Sequence, residues 1–259
     1  GQLKRKQRDN NLRLKMKKDC EGDPRLRPYQ RVDVSFLKTL PHGGGVFNDM
    51  RTGKTPTILT LIKEEGFRKV GIVVPANVIK QWENEIKKWT EREDIYVLHG
   101  TKRKKRMEEM KKKDSFIFLT TYHTLSRDIK QYNFPIDCVV ADEIHRVKSR
   151  GRKSTKNSQI VNALFEISKK AMKKYGLTGT PAVRCPSDLW VILHFINPKG
   201  HPSYWQFCER YLEIRYDYFS KDEILTGKVK PHRKKEFEEL IATISTQRKR
   251  YEVMAWLPK

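Results

Sequence analysis

Gly53, Lys54 and Thr55 lie in the stretch NDMRTGKTPT, after a glycine-led apolar run and before a helical pattern. A phosphate loop needs this order of strand, loop and helix, because the amino terminus of a helix offers unpaired N–H groups and a positive dipole end to an anion. In such a loop the lysine reaches the outer phosphates and the threonine hydroxyl binds Mg²⁺. Asn48 stands where the full pattern has its first glycine, so GKT alone fits an ordinary turn equally well.

Asp142 and Glu143 form a second candidate pair, directly after the apolar run IDCVVA. Two carboxylates at the end of a buried strand are costly without a cation or proton to hold, so metal-bound phosphate chemistry accounts for them. Asp142 would hold magnesium, and Glu143 would orient and deprotonate the attacking water. The alternative is a solvated turn with a helix-capping acid. The order of the two signals, GKT and then DEIH, favours a site for Mg·ATP.

The short stretch LTGTP (177–181) follows a further predicted strand. Threonine hydroxyls beside a glycine at a strand end can relay the state of a phosphate through hydrogen bonds. As an isolated string it is also an ordinary turn.

The charge balance restricts the partners. Lysine and arginine number 55 against 31 acidic residues, which gives a formal net charge of +24. Such an excess implies a polyanionic partner, because each neutralised phosphate of a nucleic acid releases a counterion. No apolar run is long enough to span a bilayer and no amphipathic anchor is evident, so no membrane partner is expected. The four cysteines are scattered without zinc spacing, which favours a reducing, intracellular compartment.

Short apolar runs alternate with helical patterns from Leu26 onward. Their near-continuous apolar character indicates strands covered on both faces, as in a parallel sheet, and the alternation predicts an α/β domain built from right-handed βαβ units. Trp82 and Trp89 are seven residues apart on one helical face and are predicted to pack in the core. The predicted strands are GGGVF (43–47), VGIVV (70–74), DIYVL (94–98), FIFLT (116–120), IDCVVA (136–141) and KYGLT (174–178).

Three segments differ in character. Residues 1–24 are charge-rich and are predicted to form a basic arm, flexible or weakly helical. Residues 25–198 contain the α/β pattern. After Pro198 the strand signals fade, and residues 199–259 are predicted to be a helical extension.

Read in order, the motifs DMRTGKT, VVPANVIKQWENEIKKW, FLTTYHTL, VVADEIHRVKS and LTGTP resemble those of the first RecA-like lobe of superfamily two helicase-like ATPases. RLRPYQ, YVLHGTKRKKR, LTGTPAVRCPSDLWVILHFINP and the closing RKRYEVMAWLPK resemble the Swi/Snf-type branch. The resemblance covers residues 25–259. It implies a RecA-like parallel sheet flanked by helices with a small helical C-terminal extension, ATP and Mg²⁺ as ligands, and translocation on double-stranded DNA through backbone contacts with little base specificity.

The resemblance also implies roles for individual residues. Gln30 becomes an adenine contact, Thr55 and Asp142 become the magnesium ligands, and Glu143 becomes the water residue. Three positions depart from the family pattern, since Arg51 replaces a small glycine, Thr57 a glutamine and Ile144 a smaller residue. The ATP-binding loop is Asp49, Met50, Arg51, Thr52, Gly53, Lys54 and Thr55; the coupling residues are His145, Thr178, Gly179 and Thr180; the DNA contacts are Lys80, Thr120, Thr121, Arg146 and Lys148.

This family hydrolyses ATP between two RecA-like lobes, and the second lobe supplies arginine fingers. The chain stops at LPK, about where the linker to that lobe would begin, so a second lobe is the expected partner. Without an arginine finger, turnover falls by roughly 10³- to 10⁵-fold, and this chain alone is expected to be weakly active.

Two other functions stay open at this point. One is a strand-separating DExH helicase, including restriction-type motors, and the other is a non-catalytic nucleic-acid-binding module, which Arg51 and the missing first glycine keep possible. Retention of Lys54, Thr55, Asp142 and Glu143 together argues against the second. The short lobe suits a bacterial or virus-infected cytoplasm better than a nucleus.

Overall fold

A computed structural model describes residues 22–147, 155–179, 186–217 and 222–256. Most of the predicted basic arm at 1–24 lies outside these residues. The strands are β1 Gly43–Val46, β2 Lys69–Val74, β3 Ile95–Val97, β4 Phe116–Thr121, β5 Ile136–Ala141, β6 Ala171–Leu177, β7 Leu212–Asp217, β8 Asp222–Val229 and β9 Ser245–Thr246. The helices are α1 Pro28–Thr39, α2 Lys54–Glu64, α3 Ile79–Thr90, α4 Arg103–Lys111, α5 Tyr122–Asp128, α6 Thr155–Lys169, α7 Leu189–Ile196, α8 Tyr204–Tyr211, α9 Lys234–Ile244 and α10 Arg250–Val253.

The main sheet has seven strands in the order β3-β4-β2-β5-β6-β1-β9, and all of its pairings are parallel. The six strands predicted from apolar runs are all present, which confirms the predicted parallel α/β sheet. Parallel strands need long crossover connections, and the helices between them supply these connections.

Both faces of the sheet are buried. Neighbouring residues of one strand, such as Ile72 and Val73, belong to two different apolar clusters, and the same holds for Ile117 and Phe118. Successive side chains of a strand point to opposite faces, so each cluster fills one side of the sheet. This arrangement explains why the central stretches VGIVV of β2, FIFL of β4 and CVVA of β5 are apolar at successive positions and do not alternate.

The tryptophans predicted to pack in the core are buried. Trp82 and Trp89 lie on α3 against the cluster that also contains Ile86. Trp190 on α7 is buried in the opposite cluster with Leu193 and Phe195.

The C-terminal extension is helical only in part. It contains α8, α9 and α10, but also a hairpin of β7 and β8 and the strand β9, which the sequence did not predict. β7 reads LEIRYD and β8 reads DEILTGKV, and charged residues within both segments hide the strand pattern. β9 is too short to give any pattern of its own, and it exists because its backbone pairs with the edge of β1.

Within the described ranges, no helix combines the length and the apolar character that crossing a bilayer requires. Cys138 and Cys208, the cysteines within the described ranges, are buried thiols outside any disulfide.

Candidate nucleotide site

The predicted site residues converge at one edge of the sheet. β5, β6 and β1 are neighbours, and their carboxyl ends are Ala141, Leu177 and Val46. The phosphate-loop, DEIH and LTGTP motifs follow these three ends directly. Ligands of open α/β sheets bind at this edge, because parallel strands deliver their following loops to the same place.

The phosphate loop leads into α2, which begins at Lys54. Gly53 precedes the helix with a φ of 80°, and a Cβ at this position would lie 2.3 Å from Nε2 of Gln30. Only glycine satisfies both conditions without strain. The start of α2 therefore presents its free N–H groups behind a glycine turn, as anion binding requires.

The Lys54 side chain lies across its own loop. Its Nζ donates to the carbonyl oxygens of Asn48 at 3.1 Å and Asp49 at 3.4 Å. Burial lowers the pKa of Lys54, and the negative charges of Glu143, Asp142 and Asp49 oppose that shift. The ammonium group is thus held at the loop and close to the carboxylates of the DEIH motif.

Arg51 adopts a φ of 64°, in the left-handed region. Residues other than glycine are uncommon there, because Cβ approaches the carbonyl oxygen. This backbone conformation explains why the related motif has glycine at the position of Arg51. The exposed Arg51 keeps the same backbone conformation with a larger side chain.

The start of α1 supports the loop from one side. The Nε2 of Gln30 donates to the carbonyl oxygen of Gly53 at 3.0 Å, and its Oε1 accepts from the backbone N–H of Arg27 at 2.8 Å. The hydroxyl of Tyr29 donates to the carbonyl oxygen of Thr52 at 2.6 Å. Gln30 therefore touches the loop itself, and its contact with adenine stays a prediction.

Asp142 is held by donors on both carboxylate oxygens. Oδ2 accepts from the indole Nε1 of Trp82 at 2.9 Å, and Oδ1 accepts from the backbone N–H of Glu143 at 3.0 Å. The hydroxyl of Tyr122 donates to the Asp142 carbonyl oxygen at 2.5 Å. Burial raises the pKa of Asp142, and the hydrogen bond from Trp82 opposes this shift.

The next residue, Glu143, has a φ of 48°, a further left-handed position. Strained backbone of this kind concentrates at functional sites. Its Oε2 lies 3.1 Å from Nδ1 of His145, and the same nitrogen lies 2.8 Å from the hydroxyl oxygen of Thr178. The predicted water residue and two predicted coupling residues are therefore in direct contact.

Gly179 brings the LTGTP stretch against the phosphate loop. A Cβ at Gly179 would lie 3.1 Å from Cγ of Met50 and 3.6 Å from Nζ of Lys54. Thr178 donates its backbone N–H to the carbonyl oxygen of Val46, the last residue of β1, at 3.1 Å. Thr180 lies outside the described residues.

The side chains fit a magnesium nucleotide. Thr55 and Asp142 offer the hydroxyl and carboxylate oxygens that Mg²⁺ prefers, and Mg²⁺ in such sites is usually held by one or two carboxylates together with substrate phosphates. Lys54 and the start of α2 supply positive charge for those phosphates. Burial of the Asp142 carboxylate, which disfavours its charged form, is the condition that a bound cation would relieve.

The residues predicted to contact DNA differ in their exposure to solvent. The Lys80 side chain is 80% exposed and pairs with Glu83 at 3.0 Å, and Arg146 is also exposed. Thr120 is buried and donates its hydroxyl to the carbonyl oxygen of Leu98 at 3.0 Å. Its part in DNA contact, like that of the other residues, stays a prediction, and Lys148 lies outside the described residues.

Thr121 is the N-cap of α5. Its hydroxyl oxygen accepts from the backbone N–H of Thr124 at 3.1 Å, so the side chain closes the first turn of the helix. This turn presents the start of α5 beside the site.

The sequence analysis missed a support behind the phosphate loop, formed by the segment 245–250. The backbone N–H of Asp49 donates to the carbonyl oxygen of Arg248, and the Asp49 carboxylate accepts from the backbone N–H of Arg250, both at 2.9 Å. The guanidinium of Arg248 pairs with the buried Asp33 at 2.7 Å. The sequence feature that could have indicated this support is Asp33, an acidic residue between apolar positions of α1.

The strand order, the glycine turn before α2 and the DEIH contacts define a RecA-like lobe of a helicase-like ATPase. The SNF2-related domain family matches residues 11–259, and the chain belongs to this family.

Several relatives share this lobe. Chromodomain-helicase-DNA-binding protein 7 of Homo sapiens is 26% identical over 228 residues, which is 76% of this chain and 7% of that protein. Helicase ssl-1 of Caenorhabditis elegans is 30% identical over 194 residues, 70% of this chain and 8% of that protein. A Sulfolobus solfataricus SWI2/SNF2 ATPase core in complex with dsDNA matches with a TM-score of 0.71 and 26% identity, over 92% of this chain and 47% of that chain. The chain thus spans about half of that core and a small part of the longer relatives.

Proposed function

We propose that this chain is the first motor lobe of an ATP-driven translocase on double-stranded DNA. The observation that carries the proposal is the contact among the three motifs at one sheet edge. Lys54 lies close to Gly179, and His145 contacts both Glu143 and Thr178. A nucleotide bound at the phosphate loop would thereby be connected, through Lys54 and Glu143, to the LTGTP stretch, which is predicted to couple ATP to DNA.

In this proposal each side chain has a chemical task. Lys54 and the start of α2 bind the phosphates, and Thr55 and Asp142 hold Mg²⁺, which neutralises phosphate charge when bound. Glu143 orients the attacking water and accepts its proton. The contacts of His145 with Glu143 and with Thr178 connect the water-activating residue to the LTGTP stretch.

The DNA part of the proposal is supported by charge and by a neighbour. The formal net charge is +24, and Lys80 and Arg146 are exposed beside the site. The Sulfolobus core that this chain resembles was solved in complex with dsDNA. Contacts to phosphates position a protein without reading bases, and the logarithm of the binding constant should fall with the logarithm of salt by roughly 0.9 per phosphate contacted.

Full turnover in this proposal requires a second RecA-like lobe. The chain matches 47% of the Sulfolobus core, which supports a further lobe in the working protein. An arginine finger from such a lobe is worth roughly 10³- to 10⁵-fold in turnover.

Steady-state ATP turnover by this chain joined to a second RecA-like lobe tests the proposal. The assay compares duplex DNA, single-stranded DNA and no DNA. Stimulation mainly by duplex is the expected result. Stimulation mainly by single strands would indicate a strand-separating helicase, and no turnover under any condition would indicate a binding module without catalysis.

A further inference from the structure

Asp142 receives three hydrogen bonds, and two of them come from distant parts of the chain. Trp82 is 60 residues away in the sequence and donates to Oδ2, and Tyr122 is 20 residues away and donates to the backbone carbonyl. The third donor is the backbone of the adjacent Glu143. The Asp142 carboxylate is therefore held by α3 through Trp82, and the Asp142 backbone is held by α5 through Tyr122.

Both distant donors are held firmly. Trp82 is 3% exposed and packs in the cluster under α3, and Tyr122 is 7% exposed in the cluster on the other face of the sheet. Because the two side chains are enclosed by packed neighbours, each moves together with its helix. A shift of α3 or α5 must therefore change the hydrogen bonds to Asp142.

The same two helices carry predicted DNA contacts at their starts. Lys80 precedes Trp82 by two residues at the exposed beginning of α3. Thr121 is the N-cap of α5, and Tyr122 is the first residue of that helix. The exposed Lys80 is thus within one helical turn of a donor to Asp142. Thr121 is 3% exposed and its hydroxyl is bonded to Thr124, so α5 presents no exposed contact at that residue.

We propose that Trp82 and Tyr122 are positioning residues for Asp142, and that Trp82 links DNA contact at the start of α3 to the orientation of the Asp142 carboxylate. This inference rests on the proposed function. Duplex binding at Lys80 would shift the start of α3 and, through Trp82, the orientation of the Asp142 carboxylate, which would be a ligand of Mg²⁺. Partners that orient a metal ligand commonly change metal affinity or activity by about 10- to 100-fold when they are removed.

Trp82 has a matched control on the same helix. The indole Nε1 of Trp89 donates to Oε2 of Glu85 at 2.9 Å, which is the same kind of bond at the same length. Trp89 is also buried but does not contact Asp142. Replacement of either tryptophan by phenylalanine removes one indole donor and keeps most of the packing.

Tyr122 has a comparable control in Tyr132. Tyr132 is fully buried, and its hydroxyl donates to the hydroxyl oxygen of Thr120 at 3.4 Å. The substitutions Tyr122→Phe and Tyr132→Phe each remove one buried hydroxyl, but only Tyr122→Phe removes a bond to Asp142.

The first measurement uses this chain alone. A fluorescent ATP analogue is titrated at a series of Mg²⁺ concentrations and in EDTA, with thermal unfolding of each variant as a check on folding. Trp82→Phe and Tyr122→Phe should raise the Mg²⁺ concentration for half-maximal nucleotide binding by about 10-fold or more, and Trp89→Phe and Tyr132→Phe should leave it unchanged. Equal values for Trp82→Phe and Trp89→Phe would overturn the role of Trp82, and equal values for the two tyrosine variants would overturn that of Tyr122.

The second measurement is the stimulation ratio, which is ATP turnover with duplex divided by turnover without DNA, in the chain joined to a second lobe. Trp82→Phe should lower this ratio, while Trp89→Phe should keep it. A ratio that is unchanged in Trp82→Phe, or lowered equally in Trp89→Phe, would overturn the link. A wild-type protein that duplex does not stimulate would instead refute the proposed function, and the two failures are therefore distinguishable.

Discussion

Asp33 and Arg248 form a buried ion pair across 215 positions of sequence. Nε and Nη2 of the guanidinium lie 2.8 Å and 2.7 Å from Oδ1 of Asp33, whose side chain is 0% exposed. The other carboxylate oxygen accepts from Nδ2 of Asn48 at 2.8 Å. This pair joins α1, the start of the phosphate loop and the segment after β9 in one buried network.

Loss of the Arg248 charge should destabilise the lobe. Arg248→Met leaves the buried Asp33 carboxylate without its cationic partner, and breaking a buried pair in this way costs about 3–5 kcal/mol. Lys235→Met is the control, because Lys235 is 89% exposed and its surface pair with Glu239 contributes little. Denaturant unfolding of both variants gives the comparison. A similar free energy of unfolding for the two would show that Asp33 is not buried as described.

Removal of the Lys54 ammonium should weaken nucleotide binding. A hydrogen bond between charged groups contributes about 1.5–3 kcal/mol, so Lys54→Ala should reduce affinity by roughly 10- to 150-fold for each phosphate bond lost. Lys63→Ala, on the same helix but paired with Glu91 at 2.7 Å, should bind nucleotide like the wild type. Titration with a fluorescent ATP analogue checks both. Unchanged affinity in Lys54→Ala would contradict the assignment of the phosphate loop.

Glycine at position 51 should fit the backbone better than arginine. Arg51→Gly relieves a left-handed conformation that costs a residue with Cβ roughly 1–2 kcal/mol, so the free energy of unfolding should rise or stay level. Glu91→Gly relieves the same kind of conformation, with a φ of 59°, far from the loop. Because the Arg51 side chain is exposed, we expect nucleotide affinity to stay level in both variants. A loss of affinity confined to Arg51→Gly would instead reveal a phosphate contact by this arginine.

Acid stability should depend on Glu236. Hydrogen bonds from Arg210 and Arg233 lower the pKa of Glu236 from 4.5 to about 2. A carboxyl whose pKa is lower in the folded state contributes stability that is present above pH 4.5 and lost as the pH falls toward 2. Glu236→Gln should therefore have a smaller drop in Tm between about pH 5 and about pH 3 than the wild type. Glu239→Gln, at an exposed position, should show the wild-type drop, and an equal drop in all three proteins would refute the pairing.

Much of the fold follows from local sequence, because burial leaves a direct mark on composition. The stretch CVVA of β5 is apolar at successive positions since both faces of the strand are covered there. The GKT and DEIH motifs mark chemistry that few other residue types perform, and their order along the chain places them at the ends of β1 and β5.

Contacts between segments that are distant in the sequence do not change the local composition, so they could not be predicted. Trp82 is apolar and helical in pattern, so its sequence predicts packing, while its hydrogen bond to Asp142 depends on where α3 docks. Ser245 and Thr246 have no strand pattern and are extended only because β1 offers a free edge. Arg51 gives no sign of its left-handed backbone, which the loop imposes.

The position of β1 in the sheet has a consequence for synthesis on the ribosome. β1 leaves the ribosome first among the strands described, yet its neighbours are β6 and β9, which are translated much later. Chains emerge from the amino terminus at roughly 5–20 residues per second, so the roughly 200 residues between β1 and β9 take about 10–40 s to emerge. A nascent chain that stops before Ser245 can assemble β2, β4 and β5, but its phosphate loop lacks the backbone of Arg248 behind it. The support behind the phosphate loop is therefore completed only late in the synthesis of this lobe.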